Sequence, residues 1–144
     1  MNTRIMLKIL LSICLSLSLF ALNACAIRSA NLTVVVYNYW PRAIIDVSIN
    51  GKYAGGSFGA YGLGGTGAKM VAGVPIHLGE QKVEWTLSGG ENAPRLMEKI
   101  TAKAELKEFP SSAKILAIHI YPDETVFLET AKQLPAQRPN GVKR

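Results

Sequence analysis

The chain has 144 residues, 49% of them apolar, and its 16 Lys and Arg against 10 Asp and Glu give a net charge of +6. This length suits one domain better than two. The basic residues are scattered and form no run of the kind that binds nucleic acid, so we expect no nucleic-acid partner. A positive charge of this size is ordinary for a folded domain, or favours an acidic protein partner or an anionic surface.

The first residues have the pattern of a signal peptide for export. Arg4 and Lys8 form a positive start, and residues 9–22 are almost wholly apolar. A membrane-spanning helix needs about 20 apolar residues, so this stretch is too short to span and fits the apolar region of a cleaved leader. We therefore assign residues 1–24 to a signal peptide, whose removal lowers the net charge to about +4.

The end of the leader predicts the attachment of lipid. Leu22-Asn23-Ala24-Cys25 resembles the lipobox of bacterial lipoproteins, in which the chain is cut before the cysteine and the cysteine is acylated, for example with palmitate. Several acyl chains anchor a protein stably, whereas one gives only marginal membrane binding. We expect Cys25 to be the lipidation site and residues 25–31 to form a lipidated tether. The alternative is an ordinary secretory leader, cut near Ala24 or Ala26.

The residue after the lipidated cysteine indicates where the protein is sent. It is Ala26 rather than Asp, which by similarity to the sorting signals of double-membrane bacteria favours the outer membrane, with the domain facing the periplasm. The other cysteine, Cys14, leaves with the leader. The mature domain is therefore expected to have no disulfide and to depend on core packing.

The first half of the mature chain predicts strands separated by turns. Residues 32–37 are β-branched and apolar on both faces, as in a central strand. Residues 43–50 alternate apolar and polar side chains and end in Asn50-Gly51, a strong hairpin-turn signal. Residues 51–67 contain eight glycines and predict a loop or an irregular strand pair with bulges. Residues 68–74 favour a short strand closed by Pro75.

The second half continues the strand pattern. Residues 82–87 alternate cleanly. Residues 99–107 have a helix-favouring composition but a strand-like alternation, and we follow the alternation. Residues 114–121 and 125–130 predict a hairpin, and residues 133–144 predict a disordered tail. The sequence therefore predicts an all-β fold, a small single-domain antiparallel β-sandwich of about six or seven strands over residues 32–132.

Two segments match catalytic or nucleotide-binding signatures without their context. Gly55-Gly56-Ser57-Phe58-Gly59 reads G-x-S-x-G, and residues 62–67 read G-x-G-x-x-G. Both signatures require a helix directly after the motif. Glycine-rich sequence follows the first motif, and residues 68–75, which indicate a strand and a turn, follow the second. The two histidines, His77 and His119, lie far apart in sequence, and no cysteine is left to join them. We expect no catalytic residue, no metal, no cofactor and no small-molecule substrate.

Aromatic residues beside Pro41 and in the glycine-rich segment are of the types that anchor protein interfaces. The possible partner-binding residues are Tyr39, Trp40, Arg42, Tyr53, Phe58 and Tyr61. The alternative is that Trp40, together with Tyr37, fills the end of the sandwich.

The mature chain resembles a family of small bacterial lipoproteins defined by a domain of unknown function, DUF3304. The shared features, in chain order, are Tyr37-Asn38, Asn50-Gly51, the glycine-rich residues 62–67, Pro75, Trp85, His119 and Pro122-Asp123. The resemblance covers residues 32–135. Many relatives carry adjacent cysteines after the glycines, where this chain has Ala68-Lys69-Met70, so no role of that pair is carried over.

The resemblance implies a non-enzymatic function. Some members are encoded beside toxic lipase effectors of the type VI secretion system, which implies an immunity protein that binds and neutralises a periplasmic effector. An anchor in the threatened membrane would raise the local concentration of such a binder. The alternative is a structural or assembly lipoprotein of the cell envelope.

Overall fold

A computed structural model describes residues 29–63 and 66–140 of the chain. The predicted leader, Cys25 and most of the tether lie outside the described residues, as do residues 141–144. Within the described ranges the elements are eight strands: β1 (Ser29–Asn38), β2 (Ile44–Ile49), β3 (Lys52–Phe58), β4 (Thr66–His77), β5 (Gly79–Leu87), β6 (Lys99–Leu106), β7 (Ile115–Ile120) and β8 (Val126–Ala131). The described residues form no helix, and therefore none with the length and apolarity needed to cross a membrane.

The strands form two four-stranded sheets packed as a β-sandwich, which confirms the predicted fold class. The first sheet has the order β4-β1-β7-β8, and the second has the order β3-β2-β5-β6. The predicted strand number is corrected from about six or seven to eight in the described residues. The antiparallel arrangement is also corrected at one place, because β1 and β7 run parallel.

The parallel pair consists of strands that are apolar on both faces. In β1, Val34 and Val36 face the sandwich interior while Val35 and Tyr37 face outward, and all four are buried. Parallel strands are typically covered on both faces in this way. β7 has the same character and pairs with β1 from Thr33 opposite Ile115 onward. The two strands therefore occupy the middle of the first sheet.

The main core lies between the two sheets. Its centre is the fully buried ring of Trp85 on β5, with aliphatic side chains of both sheets around it. Burying one large apolar side chain of this kind contributes roughly 1.5–3 kcal/mol. β6 supplies Ile100 and Leu106 to this core while its alternate residues are mostly exposed, which confirms that alternation outweighs helix-favouring composition in residues 99–106.

Residues 52–58 of the glycine-rich segment form β3 rather than a loop, and β3 forms an irregular pair with β2. A Cβ on Gly56 would lie 2.6 Å from the carbonyl oxygen of Ile45, so β3 can approach β2 closely only because residue 56 is glycine. The pairing of these strands shifts register after Val47, as expected for a bulge.

β4 is longer than the sequence predicts. It passes through Pro75 and ends at His77, although the sequence predicts a strand closed at Pro75. Proline is tolerated here because β4 is an edge strand with a ladder on one side only. Gly73, with φ +73°, coincides with the register shift between β1 and β4.

Candidate functional site

The outward surface of the first sheet carries a cluster of aromatic rings, here called the aromatic face. It consists of Tyr37, Tyr39, His119, Tyr121 and Phe127. The parallel register places Tyr37 opposite His119, with ring centroids 4.8 Å apart and planes 15° from parallel. Tyr39 stacks on Tyr121 at 5.1 Å. Alternation along β1 and β7 therefore brings these rings onto one face.

Residues 133–140, here called the C-terminal segment, lie against the aromatic face. The Tyr37 hydroxyl donates to the carbonyl oxygen of Pro135 at 2.6 Å, and the Tyr121 hydroxyl donates to that of Arg138 at 3.0 Å. The backbone N–H of Arg138 donates to the Tyr39 hydroxyl at 2.5 Å. The sequence predicts disorder from residue 133, and the structure differs for residues 133–140 because tyrosine hydroxyls satisfy backbone groups that no periodic pattern reveals.

An ion pair fastens the same segment to β8. The guanidinium of Arg138 donates to both carboxylate oxygens of Glu129, from Nε at 2.7 Å and from Nη2 at 2.8 Å. These bonds lower the pKa of Glu129, although partial burial opposes the shift. The paired, two-point geometry is the strong form of an arginine–carboxylate contact.

His119 lies at the centre of the aromatic face and is fully buried. Its Nδ1 is 3.0 Å from the Tyr39 hydroxyl, which already accepts from the Arg138 N–H. The Tyr39 proton is therefore assigned to the bond with Nδ1, and the imidazole proton to Nε2. Nε2 is 3.6 Å from Glu129 Oε2, too far for a good hydrogen bond, and has no hydrogen-bond partner among the described residues.

Burial keeps this histidine neutral. Loss of solvation lowers the pKa of His119 to about 4; Glu129 opposes the shift and Arg138 reinforces it. Burial also raises the pKa of Tyr39 to about 12. The cluster is therefore uncharged at neutral pH apart from the ion pair between Glu129 and Arg138.

The structure separates the aromatic residues that the sequence groups as possible contacts. Tyr39, Trp40 and Phe58 are buried, Tyr39 in the aromatic face and the other two in the main core. They are corrected from surface anchors to packed residues, because burial depends on which face of the sheet each one occupies. For Trp40 this matches the alternative, that it fills the sandwich interior.

The remaining predicted contacts differ in accessibility. The Arg42 guanidinium donates to the carbonyl oxygens of Ser88, at 2.8 Å, and Pro94, so it holds a loop in place. Tyr53 is exposed on β3 of the second sheet, away from the aromatic face. Tyr61 is exposed as well, and its ring packs edge-on against Tyr39 at 5.6 Å. Of the predicted set, Tyr61 is the accessible residue that borders the aromatic face.

Three exposed apolar side chains border the aromatic face and are here called the apolar rim: Tyr61, Met70 and Leu134. Met70 lies opposite Val35 in the pairing of β4 with β1. Leu134 precedes the proline whose carbonyl bonds Tyr37. Sequence reasoning missed Met70 and Leu134 because they lie in segments read as a short strand and as a tail.

The two signature-like motifs lack the local structure that their chemistry requires. Ser57 is exposed near the end of β3 with φ 58°, and a turn follows it rather than a helix. The second motif, residues 62–67, ends inside β4 (Thr66–His77), so a strand follows it where the signature requires a helix. Among residues 29–63 and 66–140, no group of three His, Cys, Asp or Glu side chains is placed to hold a metal ion.

Comparison with known proteins gives no relative to argue from. No protein-family model, curated protein or solved structure matches this chain. The resemblance to DUF3304 thus stays a prediction.

Proposed function

We propose that this protein is a lipid-anchored binding protein of the bacterial envelope, without catalytic activity, whose domain binds a protein partner through the apolar rim. The observation that carries the proposal is the exposure of three large apolar side chains at the border of one face: Met70 is 58% exposed, Leu134 54% and Tyr61 43%. Large exposed apolar side chains gathered in one region typically mark an interaction surface.

One residue of the apolar rim, Tyr61, is held in place by the fold, which favours binding. Tyr61 packs edge-on against Tyr39, and its backbone N–H donates to the carbonyl oxygen of Trp40 at 2.7 Å. A contact residue that is already fixed loses little freedom when a partner binds. Tyrosine and methionine are also among the residue types enriched in interface cores.

The compartment and the partner class come from the sequence. The leader and Cys25 support an exported domain held by lipid, and Ala26 supports the outer membrane with the domain facing the periplasm. The resemblance to DUF3304 supports an immunity role, in which the domain neutralises a lipase effector of the type VI secretion system. Tethering at the membrane that the lipase attacks would raise the effective concentration of the inhibitor.

Binding is tested with the full chain, purified in detergent, and the product of the neighbouring gene. We expect a stable complex, and we expect Met70→Lys to weaken it at least tenfold. Met97→Lys is the matched control, because Met97 is 63% exposed but lies in the loop between β5 and β6 of the second sheet. Equal effects of the two substitutions would contradict the placement of the interface at the rim.

Immunity is tested by co-expression in the periplasm. We expect the full chain to protect cells from the toxicity of the neighbouring gene product, and Cys25→Ala to reduce protection by removing the anchor. If no complex forms and no protection is seen, the immunity role is refuted. A deletion that weakens the envelope in a genome with no toxin gene nearby would instead support the structural or assembly alternative.

A further inference from the structure

The aromatic face contacts the C-terminal segment in the way that a binding site contacts a peptide. The hydroxyls of Tyr37, Tyr39 and Tyr121 each bond to a backbone atom of the segment, and that of Tyr39 also bonds Nδ1 of His119. Glu129 bonds to its one charged side chain, Arg138, with both carboxylate oxygens. The face therefore recognises main-chain geometry at the first and fourth positions of a Pro-x-x-Arg sequence and charge at the fourth.

The segment is separable from the fold that it covers. Residues 134–138 belong to no helix or strand, and Leu134 points a largely exposed side chain to solvent. The main core between the sheets is a different cluster from the one beneath the segment. Removing the segment from the face would leave the interior of the sandwich intact.

The fit of the segment is incomplete at one buried atom. Nε2 of the fully buried His119 has no hydrogen-bond partner among the described residues, with Glu129 Oε2 3.6 Å away. A buried donor without a partner is costly, so the face keeps one unsatisfied polar atom while the segment covers it.

We propose that the aromatic face is a peptide-binding site that the C-terminal segment fills within the same chain, and that a Pro-x-x-Arg segment of the protein partner replaces it on binding. Proline suits the first position because Tyr37 requires only a carbonyl oxygen there and proline fixes the backbone at low entropic cost. Aromatic-lined grooves bind proline-containing segments in this manner. This inference depends on the proposed binding function and names the part of the partner that is recognised.

The test uses fluorescent peptides and the full chain in detergent. One peptide has the sequence of residues 133–140, and the second carries Glu in place of its Arg. We expect the unaltered chain to bind either peptide weakly, because its own segment occupies the site. Arg138→Ala loosens that segment and leaves the site intact, so it should bind the Arg peptide about two- to fivefold more tightly than the unaltered chain does.

Charge reversal provides the matched control. Glu129→Arg repels the chain's own Arg138 and should bind the Glu peptide at least tenfold more tightly than the Arg peptide, the opposite preference to Arg138→Ala. Near-ultraviolet circular dichroism establishes that both variants are folded. If folded Arg138→Ala gains no affinity, or if both variants bind the two peptides equally, the inference is overturned.

The outcomes separate this inference from the proposed function. If the neighbouring gene product binds and Met70→Lys disrupts the complex while the peptides fail, the peptide site is refuted and the binding function stands. If the unaltered chain is a dimer that Arg138→Ala converts to a monomer, the exchanged segment comes from a second copy, which overturns the assignment to a different protein.

Discussion

His119 is expected to make the protein less stable in mild acid. Its pKa is lowered from 6.5 to about 4, because burial removes the water that would solvate the imidazolium. Arg138 adds to the shift and Glu129 opposes it. In the unfolded chain the imidazole takes up its proton near pH 6.5, so between pH 6.5 and pH 4 the unfolded state binds more protons than the folded state.

The sign and size of the effect follow from this difference. The folded state keeps its full stability above pH 6.5 and loses it as the pH falls toward 4. Each pKa unit corresponds to about 1.4 kcal/mol, so the loss approaches about 3 kcal/mol at the acid end. The pKa of Glu129 is lowered by the bonds from Arg138, so its own contribution is lost below pH 4.5 and is distinguishable from that of His119.

The assay is urea unfolding at pH 7.5, 6.0 and 5.0, followed by the fluorescence of the buried Trp40 and Trp85. His119→Phe keeps an aromatic ring in the stack but cannot titrate, so its stability should be flatter across this range than that of the unaltered chain. His77→Gln is the control for the other histidine. If the unaltered chain and His119→Phe lose stability in parallel, the buried neutral histidine is refuted.

Three further predictions concern packing and the C-terminal segment. Leu116→Ala removes a fully buried side chain and should lower the free energy of unfolding by about 2–5 kcal/mol in urea, and unchanged stability would contradict its core position. Gly56→Ala places a Cβ 2.6 Å from a backbone oxygen of β2 and should lower the free energy of unfolding by about 1–3 kcal/mol. Gly90→Ala is the control, because a Cβ there has nothing within 4 Å, and it should leave thermal unfolding unchanged. Equal effects of the two substitutions would contradict the close approach of β3 to β2. Arg138→Ala removes a partly exposed ion pair with Glu129 and should lower the free energy of unfolding by about 0.5–1 kcal/mol. Amide hydrogen exchange should become faster in the C-terminal segment. Unchanged exchange there would refute the role of the ion pair in holding the segment against β8.

The sandwich could be predicted because its strands alternate in the sequence. In residues 99–106 the side chains of Ile100 and Leu106 mark the buried face against a composition that favours helix. The parallel pairing of β1 with β7 could not be predicted in the same way. A strand that is apolar on both faces is recognisably central, but its pattern does not tell which strand lies beside it or in which direction.

The candidate site was less predictable than the fold. Aromatic composition located Tyr39, Trp40 and Tyr61 as a group but could not tell that the first two are packed inside and the third is exposed. The position of residues 133–140 depends in part on the hydroxyls of Tyr37 and Tyr39, which are 98 and 99 positions away from Pro135 and Arg138. Contacts of this range leave no local signal in a segment rich in proline and polar residues.

The pairing of β1 with β7 also sets an order of events in folding. The second sheet joins β2, β3, β5 and β6, all of which lie before residue 107. The first sheet is different: β1, the earliest described strand, can pair with β4 early, but its other neighbour, β7, begins at Ile115. Contacts so distant in sequence form slowly. We expect one edge of β1 to stay unpaired until the C-terminal quarter of the chain is available, which leaves its apolar residues in need of protection until then.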